Sequence, residues 1–305
     1  MSPDMTGGDE AIVPREGPEL RSWVLLLVGV GAASLSAILI RYAAEVEPLA
    51  LSFWRCAAGA AVLAPFARLR AQRAYGAPLR MPLIAGAFLA VHFATWITSL
   101  ELTTVASSVL LVSTTPVFVA LAAWLLFGER LTRSGWTGIA LAVTGAALVG
   151  GGGLGGSSAF GDGLALIGGA TAGGYVLAGR LARRDLGIVV YATVTYAFSA
   201  GLLVVACVAA GVPLWGWSAR TWLVIVAIVA GPQLLGHTVI NLVLRDIDAT
   251  TVSVSIMAEP IIATALAYVL FEEVPSLLVL PGGAAILVGI YLTTTARRAV
   301  PEIVE

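Results

Sequence analysis

Apolar residues in this chain fall in long unbroken runs separated by short polar links, rather than in the one-faced or alternating patterns of soluble elements. Ten such runs can be read, near residues 22–40, 49–67, 82–100, 104–127, 135–151, 162–180, 188–211, 221–244, 249–271 and 277–296. Each approaches the ~20 residues a helix needs to cross a bilayer. The alternation of an outer-membrane barrel is absent, so the pattern predicts an all-α membrane protein of ten transmembrane helices.

One run carries more than greasiness. ATTVSVSIMAEPIIATALAYVLF, from Ala249 to Phe271, has Glu259 and Pro260 at its middle. A carboxylate at that depth is costly and faces protein or water rather than lipid. Proline beside it removes a helical hydrogen bond and crowds the Ile256 carbonyl, which predicts a bent helix exposing polar backbone to a cavity. The run from Ala106 to Leu131 repeats the design, with Pro116 mid-span and Glu129 just past the end.

Displacing the numbering by 144 lays Pro116 on Pro260, Thr115 on Glu259, Phe127 on Phe271, Glu129 on Glu273, Gly138 on Gly282 and Gly145 on Gly289. The chain reads as one unit written twice. Five spans per half is an odd number, so the second half enters the membrane upside down and the fold is two inverted five-helix repeats. The expected boundaries are a disordered cytoplasmic tail over 1–20, repeats over 21–150 and 151–298, and a cytoplasmic tail over 299–305. The glycine-rich stretch between Gly150 and Gly163 is the hinge between halves. Seven-residue glycine spacings in both halves predict packing seams.

Composition and charge refine this picture. Hydrophobic residues make up 59% of 305 positions and charged ones 11%, which no soluble domain of this size shows. Lysine does not occur. Of the 17 basic residues, all arginine, Arg41 and Arg220 fall on predicted outer segments and Arg55 inside a span; the remaining fourteen are on predicted inner ones. That asymmetry places both termini in the cytoplasm, and the four arginines from Arg68 to Arg80 need no nucleic acid to explain them. Residues 1–20 lack the apolar core of a cleavable signal. Cys56 and Cys207 sit in apolar runs as packing residues.

The candidate chemistry is sparse. His92 and Trp96 share a helix face, and His237 with Asn241 lies at the mirrored depth in the second half. Glu259 admits three readings: a proton carrier, a partner for a substrate ammonium group, or a structural partner for Arg55 or a histidine. Thr115, its mirror, with Ser113 and Thr114, suits either the carbonyl freed by Pro116 or a polar substrate. Tyr175 joins Trp54, Trp96 and Tyr196 as a possible stacking surface for planar molecules. The expected substrate-binding set is His92, Trp96, Thr115, Tyr175, His237, Asn241 and Glu259. Arg55, Pro116 and Pro260 are the expected structural or gating set, Arg55 either snorkelling to the headgroups or serving as a structural or substrate-facing charge.

Absences exclude other classes. Without lysine there is no Walker P-loop and no Schiff base, and HExxH and GxSxG are both missing. Haem between His92 and His237 is the only cofactor these residues suggest, and none is expected. Neither a ring of like charges nor a repeated filter marks a channel.

These features also resemble a known family. ALAAWLLFGERLTRSGWTGIALAVTGAALV in the first half, MAEPIIATALAYVLFEE followed by GGAAILVGIYL in the second, and LSFWRCAAGAAVL around Arg55 look like the two EamA-type repeats of the drug/metabolite transporter superfamily. Glu272 stands where that family often has glycine. The resemblance implies an ATP-independent ten-helix carrier in a bacterial-type inner membrane, commonly an exporter of amino acids or other small metabolites, with the aromatic amino acid exporters as the nearest group. The expectation is therefore a secondary transporter, not an enzyme, working by alternating access. Its site would lie between the third, fourth, eighth and ninth spans, with the other spans rocking around it. Its partners are a small-molecule substrate and the lipid bilayer, and one copy suffices for transport. Drugs, nucleosides or a non-selective pore remain the alternatives.

Overall fold

The computed structural model describes residues 18–70, 78–103, 105–149, 158–271 and 277–296. Most of the amino-terminal tail, most of the glycine-rich hinge, Glu272, Glu273 and the carboxy-terminal tail lie outside the described residues. Every element among them is a helix: α1 (Leu20–Tyr42), α2 (Pro48–Arg70), α3 (Arg80–Leu102), α4 (Val105–Val112), α5 (Thr115–Phe127), α6 (Arg133–Val149), α7 (Ala159–Asp185), α8 (Ile188–Ala210), α9 (Ala219–Ile228), a π-helical segment (Val229–Thr238), α10 (Val239–Val243), α11 (Ala249–Ile256), α12 (Glu259–Phe271) and α13 (Val279–Thr295).

Among the described residues, eight helical stretches are long and apolar enough to cross a membrane: α1, α2, α3, Leu110–Phe127, α7, α8, Ala219–Val243 and Ala249–Leu270. Helices α6 and α13 have 17 residues each, a rise of about 25 Å. They pack along one another through facing glycines. A methyl group on Gly145 would come 2.5 Å from the Gly282 carbonyl oxygen, and one on Gly289 2.5 Å from that of Gly138. Backbones this close leave no room for a side chain, so the two predicted glycine stripes meet as one seam.

The proline-bearing runs differ from expectation. Neither is a bent continuous helix. Each is broken, into α4 and α5 around Ser113 and Thr114, and into α11 and α12 around Met257 and Ala258. Pro116 and Pro260 are the second residues of α5 and α12. In a first turn the missing N–H costs nothing, because no intrahelical acceptor is available there anyway. Proline thus starts a new helix instead of kinking an old one. The 144-residue displacement carries α4 onto α11 and α5 onto α12 with identical bounds.

Polar side chains pin the remaining junctions. Asp162, in the first turn of α7, accepts from Thr103 Oγ1 at 2.7 Å and Ser107 Oγ at 2.6 Å, tying the start of α7 to the α3–α4 link. Asp248 caps α11, accepting from Thr251 N and Thr251 Oγ1 at 2.7 Å each. Gly128, at φ 68°, ends α5 in the left-handed conformation that glycine adopts without strain. Beyond it Glu129 meets Arg180 of α7 at 2.7 Å.

The large core cluster brings together α1, α2, α3, α5, α7, α8, α10 and α11. Within it α3 runs along α7, α2 along α8, and α1 along the π segment. Cys56 is a buried free thiol in that packing, and Cys207 is a second buried free thiol outside the cluster.

Candidate functional site

The two helix breaks meet across a cavity of about 160 Å³. Val112, Ser113, Thr115 and Pro116 line one side and Ile256, Met257, Glu259 and Pro260 the other. The turn residues at the breaks bond tightly to the preceding turn, Thr114 N donating to the Leu111 carbonyl at 3.2 Å and Met257 N to that of Val254 at 3.0 Å. Six of the seven expected binding residues line it: His92, Trp96, Thr115, Tyr175, His237 and Glu259. The expected assignment of spans is too narrow, since α1 and α7 contribute wall as well, with Ser34, Ser36, Ala172 and Tyr175.

Histidine 92 is fixed by its backbone neighbour. Its Nδ1 lies 2.9 Å from the Gly168 carbonyl oxygen; a carbonyl only accepts, so Nδ1 carries the hydrogen and Nε2 of the neutral ring is left as an acceptor. The ring stacks on Trp96 at 5.7 Å between centroids and 9° between planes. Gly168 permits this approach, because its missing Cβ would stand 3.2 Å from Trp96 Cβ. Trp96 Nε1 is buried without an acceptor among the described residues, and so is Ser36 Oγ. Both residues line the cavity, but these two donor atoms are themselves enclosed by the protein.

His237 lies in the π segment, edge-on to Phe93 at 5.2 Å and tilted against Tyr175 at 6.0 Å. Pro232 lacks an N–H, which widens the helix here. The Gln233 carbonyl consequently accepts from Tyr196 OH at 3.3 Å and Thr238 Oγ1 at 3.2 Å. Such π segments recur where a side chain must be re-aimed.

Asn241 is brought near but does not line the cavity. It is buried behind the wall, donating from Nδ2 to Tyr175 OH at 2.6 Å and to the His237 carbonyl at 2.7 Å, and accepting at Oδ1 from Tyr191 OH at 3.1 Å. It holds Tyr175 rather than a guest. Thr115 faces the cavity, but its hydroxyl donates to the carbonyls of Val112 at 2.7 Å and Gly169 at 3.0 Å. Val112 is the residue whose carbonyl Pro116 deprives of a donor.

Glu259, at the equivalent position of the second break, makes no hydrogen bond or ion pair with any described residue and lies within electrostatic reach of Arg55. Arg55 does not snorkel. It is 0% exposed, donates from Nε to Gln233 Oε1 at 3.0 Å, and lies with its guanidinium carbon 3.8 Å from the Phe93 ring centroid. Gly59, one turn along α2, lets Gln233 in, as a Cβ there would stand 3.2 Å from Gln233 Cγ. Burial against an aromatic face replaces the headgroup environment that snorkelling would seek.

Sequence reasoning missed Ser34, Ser36 and Phe93, and gave Gln233 no role. Serines in an apolar helix commonly bond back to their own backbone, as Ser34 does to Val30 at 2.8 Å. Nothing in the sequence separates that case from Ser36.

The two halves of this site match known proteins. The profile of the EamA-like transporter family matches residues 21–151 and again 159–295. The chain belongs to the EamA-like transporter family. A solved crystal structure superposes with a TM-score of 0.77, covering 90% of this chain and 96% of the other at 20% identity. That likeness concerns the fold alone. A comparison with curated proteins found no match. As an EamA-like protein this is a multi-pass membrane transporter of small molecules rather than an enzyme.

Proposed function

We propose that this EamA-like transporter exports neutral and aromatic amino acids by alternating access across a bacterial-type inner membrane. The observation that carries the reading is the cavity between the two broken helices, lined at once by Pro116, Pro260, Glu259 and the His92–Trp96 stack. Glu259 receives the substrate ammonium group, and the stacked rings offer a flat surface to a planar side chain. Mostly apolar walls with few polar groups suit several substrates of related shape.

The architecture proposed is ten spans in two inverted halves, 21–150 and 151–298, with α6 and α13 as the short spans and both termini cytoplasmic. Support comes from how elements pair. Helix α1 packs on the π segment and α12, while α7 packs on α3 and α5. Exchanging the halves turns the first set of contacts into the second, as a twofold axis in the membrane plane requires. Helices α2 with α8, and α6 with α13, pair across the halves. The arginine asymmetry sets the orientation.

Counterflow in proteoliposomes tests the proposal. Vesicles preloaded with unlabelled tryptophan should accumulate labelled tryptophan transiently, and unlabelled phenylalanine or leucine should substitute inside. Counterflow of nucleosides or cationic drugs without amino acids would replace the substrate class, and uptake without counterflow would indicate an open pore.

A further inference from the structure

Among the described residues, Arg55 is the charged group with buried nitrogens left without a partner. It is 0% exposed, yet Nη1 and Nη2 have no hydrogen-bond partner among the described residues. Gln233, also 0% exposed, gives its Oε1 to Arg55 Nε, and its own Nε2 is likewise without an acceptor. Two joined side chains thus present three buried nitrogen donors and no acceptor to match them.

The surroundings do not balance this charge. The Phe93 face at 3.8 Å provides quadrupole attraction but accepts no hydrogen bond in the guanidinium plane. Tyr175 and Tyr196 are neutral phenols, and the nearby Cys56 is a thiol engaged with Ser199 Oγ at 3.5 Å. His92 and His237 are neutral rings or added positive charge. Glu259 is the carboxylate within electrostatic reach, and it makes no ion pair with Arg55. A buried cation without a hydrogen-bonded counter-charge is strongly disfavoured, and water would satisfy the N–H groups while leaving the charge uncompensated.

We propose that Arg55 and Gln233 form a binding site for a small monovalent anion, either a carboxylate group or a halide. A planar guanidinium edge beside an amide N–H matches a carboxylate, and the same donors accept a halide. The site lies behind Phe93 and His237, and His237 is itself cavity wall. Gln233 and His237 both belong to the π segment, which joins the two. If the anion is the substrate's own carboxylate, Glu259 and Arg55 together read a zwitterion; that arm alone rests on the amino acid reading above.

The test uses purified full-length protein in nanodiscs. Melting temperature is followed as chloride replaces sulfate, a divalent anion outside the proposed class, at constant ionic strength, and binding of labelled tryptophan is compared with that of tryptamine, which lacks only the carboxylate. A saturable rise in melting temperature with chloride identifies a halide. Tryptophan binding roughly thirtyfold more tightly than tryptamine identifies a carboxylate. In either case Arg55→Gln should erase the effect. Gln233→Glu keeps the assay interpretable if Arg55→Gln does not fold: it places a carboxylate against the guanidinium, so it should raise the melting temperature and abolish dependence on an external anion. Absence of both a chloride effect and a tryptophan preference overturns the proposal, as does an anion effect that persists in Gln233→Glu. A chloride effect without amino acid counterflow would leave this site standing and remove the substrate reading.

Discussion

At the residue scale the cavity divides its work among few groups. Glu259 is its unpaired carboxylate wall residue, so Glu259→Gln removes the attraction for an ammonium group while keeping shape. Its concentration for half-maximal counterflow should rise roughly tenfold; unchanged values would remove Glu259 from recognition. Trp96 carries the stacking face, so Trp96→Leu should weaken phenylalanine about fivefold more than leucine, measured as the ratio of their competition constants. Asn241→Leu belongs to a different class. It strands Tyr175 OH, Tyr191 OH and the His237 carbonyl and should cost about 1–3 kcal/mol for each buried group left unpaired, read as a fall in melting temperature. His92, His237 and Glu259 were legible because polar residues inside apolar runs must face something other than lipid; aromatic residues carry no such signal, since Trp124, Tyr268 and Tyr291 in the same kind of run are exposed. The inward turn of Arg55 was not legible: snorkelling and burial have the same sequence, and Phe93 and Gln233, which decide between them, are distant in the chain.

Elements show how a sequence repeat becomes a pair of helix breaks. The displacement of 144 residues foretold that Ala106–Leu131 and Ala249–Phe271 share one form, and α4–α5 and α11–α12 do coincide in bounds. Bend and break differ only in whether the residues before proline leave the helix, which depends on the neighbours that accept the freed backbone groups. Thr115 donating to Val112 and Gly169 is such a neighbour on the first break. Pro260→Ala restores an N–H for the Ile256 carbonyl and should let α11 and α12 join as one helix. Melting temperature is then kept or raised while counterflow is lost; full transport would mean the break is not needed. The glycine seam was equally legible, and Gly145→Val, whose side chain meets the Gly282 carbonyl and Ile286, should destabilise by at least about 1–3 kcal/mol. The π segment had no signal beyond Pro232, since the same residue inside a span ordinarily predicts only a kink.

Over the whole molecule, two matched halves enclose one cavity at their breaks, and the account of transport depends on that cavity opening to each side in turn. Substituting Cys56→Ala and Cys207→Ala leaves a background in which single cysteines introduced by Thr115→Cys and Met257→Cys report from the two breaks. The decisive measurement is their rate of modification by a membrane-impermeant thiol reagent, applied from either face of oriented vesicles, with and without tryptophan. Both positions should react from both faces, and tryptophan should slow both. Two cysteines that react from one face only, or at rates indifferent to tryptophan, would contradict the account.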